Sequence, residues 1–468
     1  MPVSARSLIL TLALASSVVL GHVARAEYGG DGGILPAGTE LDDEFSTTQP
    51  REIFKSEAMQ GSKSYMVRLG DMAFSSPSLL GGPARQAGIS CDTCHINGTN
   101  NARLFVPGMS TVPGTFDTTG PIFNPRADNG VQDPVTIPSL RGERFQAPYG
   151  HDGRFTSLHE FVRNVIVNEF AGTEPSPEIL DAVVAYIQDI DFLPNPRLDL
   201  NGKLKGTASE SEKRGEALFS KPFTHDPNLS CAGCHIPSGN FLDHQQHDVG
   251  SLGSFKTPTL RNANFNAPYF HDGRYATYDQ VVIHFDRMFY LGLSKQDRDD
   301  LVAYLKAVGD GQEPTVPDNV DIRMKEVRDF LSVLDTAIPA HNAPVIAMTQ
   351  DTVGGELRDL AEGFPERKDQ TVTGGKPERA KARAAIKEMV LALHAVGAAS
   401  DAGKFDQAGV ALENFRAVMA ESVPVIKLAE PWSIYNPEVR AARLAAFRQL
   451  YQAAIDPKVV VRRMDPDE

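Results

Sequence analysis

The sequence predicts a mainly α-helical protein in three parts: two similar domains in tandem, followed by a C-terminal helical bundle. Three observations support this prediction. They are a duplicated cysteine motif, an internal repeat, and a series of amphipathic segments towards the C-terminus. A chain of 468 residues is also too long for one ordinary hydrophobic core, so several domains are expected.

All four cysteines lie in two Cys-x-x-Cys-His pentapeptides, at 91–95 and 231–235. This spacing is the attachment signal of c-type haem, in which both cysteines form thioethers and the histidine ligates the iron. We therefore predict two covalently bound c-type haems, held by Cys91, Cys94, His95, Cys231, Cys234 and His235. A zinc half-site or a redox dithiol is the alternative for Cys-x-x-Cys, but neither pair has a second pair nearby.

An internal repeat links the two halves of the predicted haem region. Pro-Ser-Leu-Arg at 138–141 and Ala-Pro-Tyr-Gly-His-Asp-Gly-Arg at 147–154 recur as Pro-Thr-Leu-Arg at 258–261 and Ala-Pro-Tyr-Phe-His-Asp-Gly-Arg at 267–274. Each copy is followed by an apolar pattern with helical spacing. The repeat predicts one small helical design used twice, with a cytochrome c-like haem domain in each half.

Composition sets the domain boundaries. The segment 193–206 is rich in Pro, Asn, Asp and Gly, so we place the boundary near residue 205. The predicted haem domains are then 27–205 and 206–312, and the predicted bundle, a structural or docking module, is 319–460. Its amphipathic segments are 320–334, 345–360, 380–396, 405–419 and 437–454.

The N-terminus predicts export. Arg6 precedes an apolar run at 8–20, and Ala-Arg-Ala at 24–26 completes a secretory signal peptide over 1–26. We expect a periplasmic protein with no membrane span in the mature chain, because no later stretch has the length of a spanning segment. The formal charge of −14 argues against nucleic acid as a partner and favours a basic partner.

Taken together, these motifs resemble the bacterial di-haem cytochrome c peroxidases and their MauG-type relatives, over residues 45–311. The resemblance rests on the paired haem motifs, on Pro-Thr-Leu-Arg-Asn at 258–262, and on Phe-Leu-Asp at 241–243 leading to His247. It implies that the N-terminal haem binds hydrogen peroxide and that the C-terminal haem transfers electrons. It also implies a small cytochrome c or a cupredoxin as electron donor, and a calcium ion between the domains.

Peroxide chemistry requires an open iron site and a nearby acid/base that moves a proton between the two oxygens. Members of this family carry a glutamate a little after the Asp-Gly-Arg segment, and Glu169 is the candidate here. The alternative is that Glu169 is a solvated helix residue, as most glutamates are.

The sixth ligand of the second haem departs from the family pattern. By counting, its position falls on Phe285, where the peroxidases have methionine and the MauG-type proteins have tyrosine. Phenylalanine cannot ligate iron. We favour Met288, which lies three residues further along the helix, with the adjacent His284 as the alternative and Tyr290 as a further candidate. If none of them binds, both haems would be open.

Two further expectations follow from the resemblance. The family usually has tryptophan between the two porphyrins, just before Asp-Gly-Arg, whereas this chain has His151 there, with Tyr149 and Phe155 close by in sequence. The calcium ion of the family is held largely by backbone carbonyls, and the matching positions are Asn266 and Pro268.

The sequence therefore predicts an oxidoreductase that reduces hydrogen peroxide with electrons from a small redox protein. Two alternatives stay open. The first is a MauG-type oxidase that acts on a partner protein. The second is a di-haem electron-transfer subunit without catalysis, docked to another protein through its C-terminal bundle.

Overall fold

The computed structural model describes residues 35–36, 38–41, 48–312, 315–366, 372, 374–443 and 445. The predicted signal peptide and most of the segment 437–454 lie outside these residues. Within the described ranges, no helix combines the length and the apolar character needed to cross a bilayer.

The described chain is mainly α-helical, as predicted. Its α-helices in chain order are α1 Lys55–Gln60, α2 Tyr65–Phe74, α3 Gly82–Gln86, α4 Cys91–Cys94, α5 Leu158–Asn164, α6 Pro177–Asp189, α7 Glu210–Ser220, α8 Cys231–Cys234, α9 Tyr278–Met288, α10 Lys295–Val308, α11 Val320–Leu331, α12 Leu334–Ala337, α13 Ala343–Glu362, α14 Lys376–Asp401 and α15 Phe405–Ala429. The strands are β1 Thr48–Pro50, β2 Thr115–Phe116, β3 Val135–Thr136, β4 Gln246–Asp248, β5 Ser254–Lys256 and β6 Thr315–Pro317, and they pair antiparallel as β1–β6, β2–β3 and β4–β5.

The chain forms two compact units. The first contains the described residues up to 41, Ile53–Ser62 and Pro77–Gln312. The second contains 48–52, Lys63–Ser76 and the described residues from 315 onwards. Both Cys-x-x-Cys-His motifs lie in the first unit, and the boundary near residue 205 within it stays a prediction.

A core of apolar side chains from α7, α9 and α10 surrounds the second cysteine motif. Phe219 of α7 and Tyr304 of α10 are buried, with ring centroids 5.0 Å apart. Helices α7 and α10 approach closely at Gly215, because a Cβ at this position would lie 2.1 Å from the carbonyl oxygen of Asp300. Only glycine permits this approach of the two backbones.

The sequence repeat has a counterpart in the backbone. The 3₁₀ turns Glu143–Phe145 and Ala263–Phe265 each follow a residue in the left-handed region, Gly142 with φ 69° and Asn262 with φ 59°. The two copies also share a cis Ala–Pro peptide bond and a short antiparallel bridge; the bonds are Ala147–Pro148 and Ala267–Pro268, and the bridges are Tyr149 with Phe155 and Tyr269 with Tyr275.

The two copies differ in the helix that follows. Helix α5 passes into a π-helical turn, Val165–Glu169, in which the amide of Phe170 donates to the carbonyl of Val165 at 3.1 Å. Helix α9 in the second copy is α-helical throughout. A π-turn inserts one extra residue into a helix and is often found at functional sites.

The second unit is built from long helices. Helix α14 packs along both α13 and α15, and α11 packs on α13 and α15. The buried carboxylate of Asp318 accepts from the guanidinium groups of Arg323 at 2.8 Å and Arg440 at 2.7 Å. The helices predicted over 320–334, 345–360, 380–396 and 405–419 are confirmed as α11, α13, α14 and α15.

Candidate functional site

The first cysteine motif forms a short helix whose last residue precedes the candidate proximal ligand. Helix α4 carries Cys91 and Cys94, and the ring Nδ1 of His95 lies 2.9 Å from the carbonyl oxygen of Pro138. A carbonyl oxygen can only accept, so Nδ1 carries the proton and Nε2 is the nitrogen that an iron would take. Burial lowers the pKa of His95 to about 4, which keeps the imidazole neutral, as a metal ligand must be.

The second motif repeats this arrangement with a different acceptor. Helix α8 carries Cys231 and Cys234, and Nδ1 of His235 lies 3.3 Å from the carbonyl oxygen of Phe241. Burial also lowers the pKa of His235. It raises the pKa of three thiols, those of Cys91, Cys94 and Cys231, to about 12, so these groups are protonated at neutral pH.

A hydrogen-bonded histidine–carboxyl pair lies beside the second motif. Nε2 of His247 is 2.6 Å from Oδ2 of Asp243, and both groups lie within 4.8 Å of Cys234 Sγ. Burial opposes ionisation of Asp243, but hydrogen bonds from Gln245 and His247 prevail and lower its pKa. The neighbouring His244 points elsewhere, because its Nδ1 donates to the carbonyl of Ala147 at 2.7 Å.

Glu169 ends the π-turn as a buried carboxyl, only 9% exposed, and not as a solvated helix residue. Its Oε1 accepts from the side-chain amide of Asn164 at 3.0 Å and from Arg154 at 3.3 Å. Burial raises the pKa of Glu169, while Arg154, Thr118 and Asn164 lower it in part. The result is an anchored carboxyl that takes up a proton more readily than an ordinary glutamate.

A cluster of three phenylalanine rings includes the residue that follows Glu169 in the sequence. The rings of Phe116, Phe123 and Phe170 pack on one another with centroids 5.7 to 6.1 Å apart. Phe170 directly follows Glu169, and all three rings are buried. Burial of a carboxyl in apolar surroundings raises its pKa and holds a proton for transfer.

The candidate sixth ligands of the second haem lie on or just after α9. Nε2 of His284 is 2.7 Å from the carbonyl oxygen of Val249, and Nδ1 is 3.0 Å from the hydroxyl of Tyr275. Met288 is 37% exposed, and Tyr290 is 78% exposed with φ 49°. Both nitrogens of His284 thus have protein partners, whereas the Met288 side chain is partly exposed.

A main-chain hydrogen bond at Thr136 joins the segment before the first copy of the repeat to the second copy. His151 Nε2 lies 2.8 Å from the carbonyl of Thr136, and the amide of Thr136 donates to the carbonyl of His271 at 2.7 Å. The ring of His271 stacks on Phe255, with centroids 3.7 Å apart. Burial lowers the pKa of His151 to about 4, so the position where the family has tryptophan holds a neutral imidazole.

The predicted calcium residues also adjoin both copies. The Oδ1 atom of Asn266 is buried without a hydrogen-bond partner. The adjacent carbonyl of Ala267 accepts from the side-chain amide of Asn100 at 3.4 Å, and Pro268 follows in the chain. An amide oxygen in this state is the type of ligand that calcium takes.

Sequence reasoning missed Arg154, Asn164 and Tyr275. Arg154 and Asn164 lie within the segments that surround the repeat and Glu169, but the π-turn that brings them to one carboxyl leaves no periodic signal. The sequence could have suggested the contact of Tyr275 with His284, because the two residues lie only nine positions apart across the start of a predicted helix. A comparison of the two copies position by position would have shown that Tyr275 and His284 both differ from their counterparts in the first copy.

Comparison with known proteins supports the motif analysis. Residues 209–309 match the family model described as di-haem cytochrome c peroxidase. Hydrazine synthase subunit gamma from Kuenenia stuttgartiensis is 25% identical over 307 residues, covering 53% of this chain and 78% of that protein. Cytochrome c551 peroxidase from Nitrosomonas europaea is 25% identical over 294 residues, covering 53% of this chain and 81% of that protein.

Methylamine utilization protein MauG from Methylorubrum extorquens is 26% identical over 298 residues, covering 52% of this chain and 77% of that protein. The alignments cover most of the length of each of these relatives, so the similarity is not confined to the haem attachment motifs. The resemblance that the motifs indicated is confirmed: residues 209–309 match the model of the di-haem cytochrome c peroxidase family, and the chain is similar to proteins named cytochrome c peroxidase and MauG.

Proposed function

We propose that this chain is an exported di-haem c-type cytochrome that reduces hydrogen peroxide with electrons from a small redox protein, a cytochrome c or a cupredoxin. The observation that carries the proposal is Glu169, a buried carboxyl with a raised pKa in the half where the family binds peroxide. The two copies of the repeat are the proposed peroxidatic and electron-transfer haem domains, 27–205 and 206–312. The predicted signal peptide supports a periplasmic location.

The residues of both motifs fit covalent haem. His95 and His235 are neutral and each has Nδ1 against a backbone carbonyl, which orients the ring for coordination through Nε2. The Nε atom of Arg261 is buried without an acceptor, and an anionic group such as a haem propionate would satisfy it. Bound haem would supply the iron that takes up the oxidising equivalents of peroxide.

The protein's part in the reaction is proton transfer. Glu169 as carboxylate removes the proton from the inner oxygen of hydrogen peroxide and delivers it to the outer oxygen, so that the O–O bond breaks to release water. Asn164 and Arg154 hold Oε1 in place during this step. With two electrons and two further protons in total, one peroxide gives two molecules of water.

We assign the sixth ligand of the second haem to Met288. Both ring nitrogens of His284 already have partners within the protein, and Met288 lies one helical turn further along α9. The backbone carbonyls of Asn266 and Pro268 are the proposed calcium ligands. The side-chain Oδ1 of Asn266, which is buried without a hydrogen-bond partner, is proposed as an additional ligand.

A second candidate function is a di-haem electron-transfer subunit of a larger assembly. Similarity to a protein named hydrazine synthase subunit gamma favours it, since that name denotes a subunit. The helical second unit would then be the surface that docks to a partner protein. Relatives at about 25% identity carry different names, so the specific activity rests on the chemistry of the site.

Optical and low-temperature electron paramagnetic resonance (EPR) spectra of the purified holoprotein test the proposal. They should be recorded oxidised and half-reduced, with and without hydrogen peroxide. We expect one high-spin haem that reacts with peroxide in the half-reduced protein, and loss of this reaction in His95→Ala. Two low-spin haems that ignore peroxide in every redox state would overturn the peroxidase and leave the electron-transfer subunit.

A further inference from the structure

Tyr275 forms a hydrogen bond whose direction can be assigned from its surroundings. Nε2 of His284 lies 2.7 Å from the carbonyl oxygen of Val249, and this oxygen can only accept. A neutral imidazole carries one proton, so Nε2 holds it and Nδ1 is the acceptor. The hydroxyl of Tyr275, 3.0 Å from Nδ1, is therefore the donor. The phenol points its proton at a neutral base.

Aromatic groups surround this pair. The ring of Phe270 meets Tyr275 edge-on at 4.9 Å and His284 edge-on at 4.8 Å. Phe285 lies against His284 with its ring centroid at 5.3 Å. Tyr275 and His284 are both partly buried. In such surroundings a hydrogen bond between two neutral groups is stronger than in water, and the proton has a defined route between them.

Two neighbouring tyrosines have hydroxyl partners of a different kind. Tyr269 donates to the carbonyl of Ala263 at 3.2 Å, and Tyr278 donates to Oδ1 of Asn264 at 2.9 Å. Amide oxygens are far weaker proton acceptors than imidazole. In the first copy of the repeat, the positions equivalent to Tyr275 and His284 hold Phe155 and Asn164. The phenol–imidazole pair is thus specific to the second copy.

We propose that Tyr275 is a redox-active residue, which gives up one electron while its phenolic proton passes to His284. The O–H bond of Tyr275 breaks and an N–H bond forms at Nδ1, so the products are a neutral phenoxyl radical and an imidazolium. The imidazolium keeps its bond from Nε2 to Val249. The proton therefore moves once over a short distance and stays within the pair, while the electron passes to the oxidant.

The oxidant is the oxidising equivalent that hydrogen peroxide leaves at the haem, so this inference rests on the proposed function. Tyr275 supplies one of the two electrons that reduce one peroxide. An electron from the small redox protein then restores the phenol, and the proton returns from Nδ1 of His284. Tyr275 would store oxidising equivalents on the protein between arrivals of the electron donor.

The test is rapid freeze-quench EPR of the full holoprotein after mixing with hydrogen peroxide. We expect a phenoxyl signal that narrows when the protein contains ring-deuterated tyrosine and that is lost in Tyr275→Phe. Tyr278→Phe is the matched control, since it removes a hydroxyl that donates to an amide, and it should keep the signal. A signal of full size in Tyr275→Phe would overturn the proposal.

The role of His284 has its own readout. In His284→Asn, the residue of the first copy, the radical should form roughly a hundredfold more slowly, the lower end of what a positioned base contributes. Its g-tensor at high field should shift, because the phenoxyl oxygen no longer accepts a bond from a cation. An unchanged rate and g-tensor, with an unchanged haem spectrum, would contradict proton transfer to His284.

Failure of the proposed function is a separate outcome. If peroxide leaves the haem spectrum unchanged, the peroxidase proposal fails, and the pair is then tested with a photogenerated ruthenium(III) polypyridyl complex as one-electron oxidant. The same Tyr275-dependent signal would support the pair without peroxide chemistry. Its absence in the wild-type protein under that oxidant would overturn the pair itself.

Discussion

The two copies of the repeat have the same backbone devices but different chemistry. Both have the 3₁₀ turn after a left-handed residue, the cis Ala–Pro bond and the short bridge. At positions 120 residues apart in the sequence, the first copy has Asn164 and Glu169 and the second has His284 and Phe289. The two copies therefore share a backbone scaffold, and the proposed haem sites differ in a few side chains on one helix.

The largest expected effects come from replacing the candidate proximal histidine of each copy. His95→Ala should abolish the reaction with peroxide, because it removes the axial ligand at the proposed peroxidatic site. His235→Ala should keep a reaction of the other haem with peroxide in the chemically reduced protein but stop turnover with a small redox protein. Stopped-flow spectra, recorded with a chemical reductant and with a small redox protein as electron donor, distinguish the two variants. The same loss in both variants would contradict the division of roles.

Removal of the carboxyl from the first copy should have the next largest effect. Glu169→Gln keeps the size and the bond from Asn164 but cannot carry the proton, so kcat for peroxide reduction should fall roughly 10²- to 10⁴-fold. Glu160→Gln changes an exposed glutamate on the same helix and serves as the control. A fall in both variants, or in neither, would remove Glu169 from the mechanism.

Asn266 and its counterpart in the first copy, Gln146, differ in the hydrogen bonds of their side-chain amides. The side-chain amide of Gln146 donates to Glu143 at 2.9 Å and to the carbonyl of Arg141 at 3.4 Å, whereas Oδ1 of Asn266 is buried without a partner. Asn266→Ala should weaken calcium binding at least roughly tenfold, as measured by calorimetry on chelator-treated holoprotein. Gln146→Ala should leave the calcium affinity unchanged.

The smallest expected effect concerns the pH profile. The pKa of Glu169 is raised by burial and lowered in part by Arg154, so Arg154→Gln should raise it further. Because Glu169 acts first as a base, the acidic limb of kcat/KM should move to higher pH, by up to about one unit since Arg154 is half exposed. A limb that moves to lower pH, or that persists in Glu169→Gln, would assign it to another group.

Much of the fold followed from patterns that are local in sequence. The amphipathic periods predicted α11, α13, α14 and α15, which the structure contains. The cysteine spacing predicts both haem motifs. The bonds that orient the site could not be predicted in this way. Arg154 contacts Glu169 at the end of a π-turn, and His284 is oriented by the carbonyl of Val249, a residue of a loop far away in sequence. Backbone carbonyls have no signature in the sequence.

The π-turn also means that the helices of the two copies differ locally in the number of residues per turn and not only in their side chains. Deleting one residue from Val165–Glu169 would restore a regular helix and rotate every preceding side chain relative to the following ones by about 100°. Glu169 would then be separated from Asn164 and Arg154 without any change in its own identity. In protein engineering, changing the length of this one turn would therefore alter the acid/base site without substituting any of the site residues.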